Sequence, residues 1–137
     1  MINSRDISEL LPEVRKKAQQ LIDKCKLSGV DIIITSTYRD YESQNKLFAK
    51  GRTEKGKIVT KARGGYSYHN FRVAFDVVPI EHGKAIWDDM ELWNIVGRIG
   101  QTLGLEWGGT WKFKDRPHFQ YTKGKTLQQF REENKNV

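Results

Sequence analysis

At 137 residues the chain has room for one domain with a single buried core, and two self-sufficient domains are excluded by size. Its 24 Lys and Arg against 17 Asp and Glu give a formal net charge of +7, which favours a polyanionic partner: nucleic acid, anionic lipid or an acidic wall polymer. The lone cysteine, Cys25, excludes an intrachain disulfide and a cysteine-rich zinc module, and no run nears the roughly 18 apolar residues of a membrane span.

The first six residues are polar, with no apolar stretch and no small-residue cleavage site, so synthesis in the cytoplasm without a Sec-type signal is expected. Leu11, Val14, Ala18, Leu21, Ile22 and Cys25 recur at three-to-four spacing, which predicts a helix from about Ser8 to Cys25 with one buried face. Pro12 is tolerated only near its start, and Ser28-Gly29 ends it. Cys25 then reads as a small buried hydrophobe. Asp31 to Ser36 is rich in β-branched residues and predicts a buried strand. Thr37-Tyr38-Arg39-Asp40 leads into a second helix over about Tyr41 to Ala49, closed by Gly51. From Arg52 to Tyr66 the chain is rich in Lys and Gly without a period, which predicts a long surface loop of functional kind.

Val73 to Val78 returns to strand character, with Pro79 expected to end it and Glu81 to Lys84 to form a turn. Asp88 to Leu103 is a third helix, capped by Asp88 or Asp89, with Leu92, Ile95, Val96, Ile99 and Leu103 on its apolar face and Trp93 in the core. Leu105 to Trp107 and His118 to Tyr121 predict two further strands joined by a loop rich in Gly and Trp, and Thr126 to Glu132 a short terminal helix. The sum is an α+β fold: a small antiparallel sheet with helices packed mainly on one side.

Three histidines are present, and His82 reads as a surface residue of its turn. His69 and His118 lie in dense polar-aromatic segments, and with Asp76 they supply two imidazoles and a carboxylate. A mononuclear catalytic zinc site takes three such ligands and leaves a fourth position for water. Pro117 disfavours a helix across Asp115 to His118, so His118 can start a strand and aim inward while Asp115 projects from the preceding turn, in reach of a general-base role. Each residue also has a plainer reading: Asp76 as a strand-edge acid paired with a cation, Asp115 as a turn-forming residue, Trp107 and Trp111 as packing residues. Residue type and spacing leave these alternatives open.

Ser67-x-His69-(x)6-Asp76, then Trp107-Gly108-Gly109-x-Trp111 and Asp115-x-Pro117-His118-Phe119, resembles the zinc peptidases of the D-alanyl-D-alanine carboxypeptidase superfamily, and most of all their L-alanyl-D-glutamate endopeptidase branch, which includes phage endolysins. The likeness runs from about Ile34 to Tyr121 and includes Thr37-Tyr38-Arg39 with Gln44 behind it. It implies that His69, Asp76 and His118 hold one Zn2+ per chain and that Asp115 is the catalytic acid/base. It also implies that Arg39 stabilises the oxyanion or holds a substrate carboxylate, and that Ser67 contacts substrate or supports a ligand. Gln44, Trp107 and Trp111 are expected to support the ligands or contact substrate. One departure is Arg72, where the family often has Gly three residues after the first ligand; Gly would admit an unusual backbone angle there.

The implied function is hydrolysis of an amide in the peptide stem of bacterial peptidoglycan, with the L-alanyl-D-glutamate bond expected. A single catalytic domain over 1–137, no separate wall-binding domain and no Sec-type signal fit a phage endolysin released to the wall by a holin. The positive charge would draw it to anionic wall or outer-membrane polymers, and a monomer is expected. One rival within the superfamily is a D-alanyl-D-alanine carboxypeptidase or dipeptidase. Another, of a different class, is a basic nucleic-acid-binding domain; the Lys-rich Lys50 to Lys61 permits it, but the stretch lacks interleaved aromatics, so no nucleic-acid partner is expected. A third is a non-catalytic wall binder with structural zinc, against which Asp115 and Arg39 argue.

Overall fold

A computed structural model describes residues 1–135. A 3-10 turn at Ile7–Glu9, capped by the Asp6 carboxylate, precedes helix α1 (Pro12–Leu27), so the regular helix starts at the proline rather than at Ser8. Pro12 has no N–H to leave unpaired, which suits the first turn. Val14, Ala18, Leu21 and Cys25 form the buried stripe of α1. Leu11, expected on that stripe, is 43% exposed because it is the cap residue before the helix rather than part of its periodic face.

Strand β1 (Asp31–Ser36) leads to helix α2 (Tyr41–Ala49), whose N-terminus is capped by Asp40 through the Ser43 N–H. Residues 50–66 then form the expected long loop. Strand β2 (Ala74–Glu81) turns through His82 and Gly83, both at positive φ, into the two-residue strand β3 (Lys84–Ala85). Paired positive φ angles give the turn the right twist for a hairpin. Helix α3 (Met90–Thr102) is capped by Asp89. Strands β4 (Glu106–Trp107) and β5 (His118–Gln120) follow, and helix α4 (Leu127–Glu133) closes the described chain with a capping box of Thr126 and Gln129.

The sheet is antiparallel in the order β1-β2-β5-β4, with β3 continuing the β5 side of β2. β1 is therefore an edge strand, and only its alternate residues are covered: Ile32 is buried and Ile33 is 44% exposed. The continuous apolar run misleads here, since such runs belong to strands covered on both faces. Pro79 does not end β2, which runs on to Glu81. The Pro79 carbonyl accepts from Ile86 N–H, so its missing N–H points to the margin where β3 has already stopped and no ladder bond is lost.

Period-two alternation divides the sheet. Phe75 and Phe119 are cross-strand partners with stacked rings, and Trp107 stacks on Phe119 in turn. This face meets α3 at Gly97 and Gly100, where a Cβ would overlap the Trp107 and Phe119 rings. Both glycines are buried on α3, whereas Ile95, expected on its apolar face, is 39% exposed. Each fully buried aromatic or large aliphatic side chain contributes about 1.5–3 kcal/mol. Asp76, His118 and Gln120 alternate with these residues and project from the opposite face, away from α3.

Candidate metal centre

Four segments bring the candidate residues together. Asp76 and His118 are direct cross-strand partners on β2 and β5, which places their side chains side by side. A bulge in β1 between Ile34 and Ser36 brings Ser36 opposite Asp76 as well. Bulges often re-aim side chains beside active sites. His69 comes from a 3-10 turn, Tyr68–Phe71, whose start is capped by Ser67 and Asn70 in a reciprocal box. Between that turn and β2 the chain must bend, and Arg72 supplies the bend in a left-handed conformation, φ 63° and ψ 26°.

Arg72 thus adopts the angle that glycine would have made easy. Its guanidinium offsets the cost: it donates to the Glu9 carboxylate and the Glu9 carbonyl, each at 2.8 Å, and lies 3.8 Å from the centre of the Tyr38 ring. The substitution is accommodated, and His69 stays in place.

His69 Nε2 and His118 Nδ1 each lie 3.3 Å from Asp76 Oδ1, and the three atoms fall within 4.8 Å of one another. The remaining ring nitrogens explain their orientation. His69 Nδ1 is 2.8 Å from the Thr37 carbonyl, which can only accept, so Nδ1 carries the proton and Nε2 presents a lone pair. His118 Nε2 is 2.7 Å from Gln120 Oε1, while Gln120 Nε2 donates to Glu106 at 2.8 Å. With its amide oriented by Glu106, Gln120 accepts from His118 Nε2–H and leaves Nδ1 unprotonated. Asp76 Oδ1 is buried and has no hydrogen-bond partner among the described residues. Three lone-pair atoms facing one point repel each other unless a cation lies between them, and two imidazoles with a carboxylate suit a divalent ion such as zinc.

The shifts at His69 and Asp76 fit that donor set, while the one at His118 runs the other way: burial lowers its pKa, but the neighbouring Asp76 carboxylate outweighs burial and raises it. Burial disfavours a charge on His69 and holds its pKa below the ordinary imidazole value. Burial also opposes ionisation of Asp76, but the two histidines outweigh it and keep the carboxyl well below the usual carboxylate range. Asp115 is shifted the other way, raised by partial burial and by the Asp76 charge, with His118 opposing. Its carboxylate lies 3.9 Å from His118 Nδ1, with the side chain 52% exposed, so it reaches both the ligand group and solvent.

Arg39 Nη2 lies 3.8 Å from Asp76 Oδ2, and Nη1 donates to Gln44 Oε1 at 2.8 Å. Gln44 is itself fully buried and donates to the Ala62 carbonyl, so it orients Arg39 from behind and does not reach the cleft. Ser67 lines the cleft, and its hydroxyl accepts the His69 N–H at 3.3 Å. Trp111 also lines the cleft, its ring 5.2 Å from that of His118. Trp107 lies elsewhere, in the core against Phe119 and α3; its Nε1–H donates to the Arg116 carbonyl and steadies the approach to His118. A cleft of about 470 Å³ contains Arg39, Ser67, His69, Asp76, Asp115 and His118 on its walls.

Sequence reasoning missed the supports. Thr37, Asn70, Gln120 and Glu106 orient the histidines or Arg39, the last through Asn70 Nδ2 to the Arg39 carbonyl at 2.9 Å. Gln120 carried a readable signal, since a polar residue two positions from a strand histidine shares its face. Gly108 was also missed as a support: the Asp115 N–H donates to the Gly108 carbonyl at 2.9 Å, and a Cβ at Gly108 would collide with Asp115.

Residues 7–124 match the family described as VanY, D-alanyl-D-alanine carboxypeptidase. The chain is 44% identical over 124 residues to the peptidoglycan L-alanyl-D-glutamate endopeptidase CwlK of Bacillus subtilis (strain 168), covering 82% of this chain and 74% of that protein. It is 26% identical over 120 residues to the L-alanyl-D-glutamate peptidase of Listeria phage A118, covering 85% of this chain but only 39% of the phage protein. In fold it resembles the crystal structure of the Serratia marcescens L-Ala D-Glu endopeptidase ChiX, with a TM-score of 0.65 at 21% identity and coverage of 88% and 89%.

Proposed function

The chain belongs to the VanY D-alanyl-D-alanine carboxypeptidase family, and from that premise we propose that it is a zinc peptidase cutting the L-alanyl-D-glutamate bond in the peptide stem of bacterial peptidoglycan. The observation that carries the reading is the convergence of His69 Nε2, Asp76 Oδ1 and His118 Nδ1 beside Asp115 and Arg39. The 44% identity to an endopeptidase favours that bond over a terminal D-alanine.

His69, Asp76 and His118 would hold a zinc ion, which would supply Lewis acidity and lower the pKa of bound water to about 7. The protein's own groups do the rest. Asp115 takes a proton from the attacking water and returns it to the leaving amine, a role its raised pKa suits. Arg39, fixed by Gln44, offsets negative charge on the tetrahedral oxygen, and loss of such a group typically costs about 100- to 1,000-fold in rate. The +7 charge favours approach to anionic wall polymers. A lysis role in a phage cycle is a finer proposal, supported by the phage relative.

The test is digestion of purified wall by zinc-loaded protein, with new termini identified by mass spectrometry. New N-terminal D-glutamate supports the proposal, and released D-alanine replaces it with a carboxypeptidase. Chelation should abolish digestion and zinc should restore it. Asp115→Asn should retain bound zinc and lose about 100- to 10,000-fold in turnover, whereas His69→Ala should lose the metal itself; full activity in Asp115→Asn removes Asp115 from the proton-transfer role.

A further inference from the structure

Tyr66, on the wall of the same cleft but outside the metal-ligand group, has two arginines packed against it from beyond the cleft lining. Tyr66 lines the cleft together with Ser67 and Leu127. Both Arg63 and Arg131 lie over the Tyr66 ring, their guanidinium carbons 4.7 and 4.2 Å from its centre. Arg63 Nη2 also donates to the Tyr66 hydroxyl at 3.3 Å, and Arg131 Nη1 to the Gly65 carbonyl at 3.1 Å. Arg131 follows Leu127 by four residues on α4, so the helix face that reaches the cleft carries the guanidinium too. The Gly65 N–H donates to Asn70 Oδ1, which ties this cluster to the turn that holds His69.

The two cations pack against one ring, and neither has a carboxylate counter-charge among the described residues. Like charges around one ring repel, and the local positive field draws the Tyr66 pKa down, through the Arg63 hydrogen bond first and the two charges after it. Guanidinium forks match the two oxygens of a carboxylate. A D-glutamate linked onward through one carboxyl presents the other one to solvent unless it is amidated.

We propose that Arg63, Tyr66 and Arg131 form a carboxylate subsite that holds a free carboxylate of the stem peptide while the scissile amide lies at His69, Asp76 and His118. This inference rests on the peptidase reading. A stem carboxylate is favoured over a phosphate of a separate wall polymer because Tyr66 and the metal-ligand group share one cleft of about 470 Å³, which suits two parts of one small ligand.

The experiment uses zinc-loaded wild-type protein and two stem-peptide mimics whose scissile amide is reduced to a methyleneamine, so neither can be cut. One carries free carboxylates and the other carboxamides at the same positions; calorimetry gives both dissociation constants. Wild type should prefer the carboxylate form, and the preference should fall about tenfold in the Arg63→Gln/Arg131→Gln variant. Arg63→Gln alone, which removes an exposed side chain hydrogen-bonded among the described residues to the Tyr66 hydroxyl, should lower it several-fold with zinc content unchanged. A preference that is absent in wild type, or unchanged in both variants, overturns the subsite. If natural stem peptides are not hydrolysed yet the preference follows the arginines, the peptidase reading fails and the subsite stands.

Discussion

Gln120 stands two residues beyond His118 on the same face of β5, and its side-chain oxygen lies 2.7 Å from His118 Nε2. The pair sets which nitrogen of the imidazole is free to bind a metal. Loss of such an outer partner typically weakens metal affinity about 10- to 100-fold. Gln120→Leu should therefore raise the zinc dissociation constant by that factor, measured by competition with a calibrated chelator. Gln120→Glu combined with Glu106→Gln, which keeps an acceptor for Nε2–H and a donor between positions 106 and 120, should retain more of the affinity; a loss equal to that of Gln120→Leu would show that the hydrogen bond is not what orients His118.

The close approach of α3 to the sheet gives a stability prediction. Gly100 faces Phe119 with no room for a methyl group, and Gly97 faces Trp107 in the same way. Overpacking of this kind costs about 1–3 kcal/mol. Gly97→Ala and Gly100→Ala should each lower the denaturant midpoint accordingly, while the rate per folded molecule changes little. A midpoint equal to wild type in both would mean that α3 shifts freely on the sheet.

At Arg72 a backbone cost and side-chain contacts oppose each other. Glycine at this position would remove a left-handed backbone cost of about 1–2 kcal/mol. It would also remove a half-exposed ion pair with Glu9 worth at most about 1 kcal/mol, and a cation–π contact with Tyr38 of about 0.5–1 kcal/mol. The two sides nearly cancel, so Arg72→Gly should stay within about 1 kcal/mol of wild type by urea unfolding. Arg72→Val keeps the backbone cost and has no compensating contact, and should be clearly less stable.

Cys25 is fully buried on α1, and burial pushes its thiol up to about 11 from an ordinary value of 9.0. The folded protein should resist alkylation by iodoacetamide at pH 8 and react only on unfolding. The unfolded chain releases this proton at lower pH than the folded one, so the contribution to stability is full below about pH 9 and declines as pH rises towards 11. Rapid labelling of native protein at pH 8 would place the thiol in an open environment.

The elements legible in the sequence were those with strong local signals. The α1 stripe, a cap at Asp88 or Asp89 and a short helix from Thr126 each announce themselves within one or two turns. Pro79 and the run Ile32 to Ile34 misled because their meaning depends on which strand lies alongside, and that is decided by residues far away in the chain. The candidate ligands were legible through residue type and a family likeness. Their supports were less so: a backbone carbonyl at Thr37 carries no side-chain signature, and Glu106 reaches His118 only through Gln120. Trp107 shows the converse, a motif residue whose place is in the core.

β5 is the last strand in the chain yet lies inside the sheet, between β2 and β4. It delivers His118 to Asp76 by the same pairing that joins the two halves of the sheet. A polypeptide ending before His118 would lack both the second imidazole and the seam of its own architecture. The proposed ion site is therefore complete only in the finished fold, and a molecule clipped before His118 keeps His69 and Asp76 without the donor that closes the set.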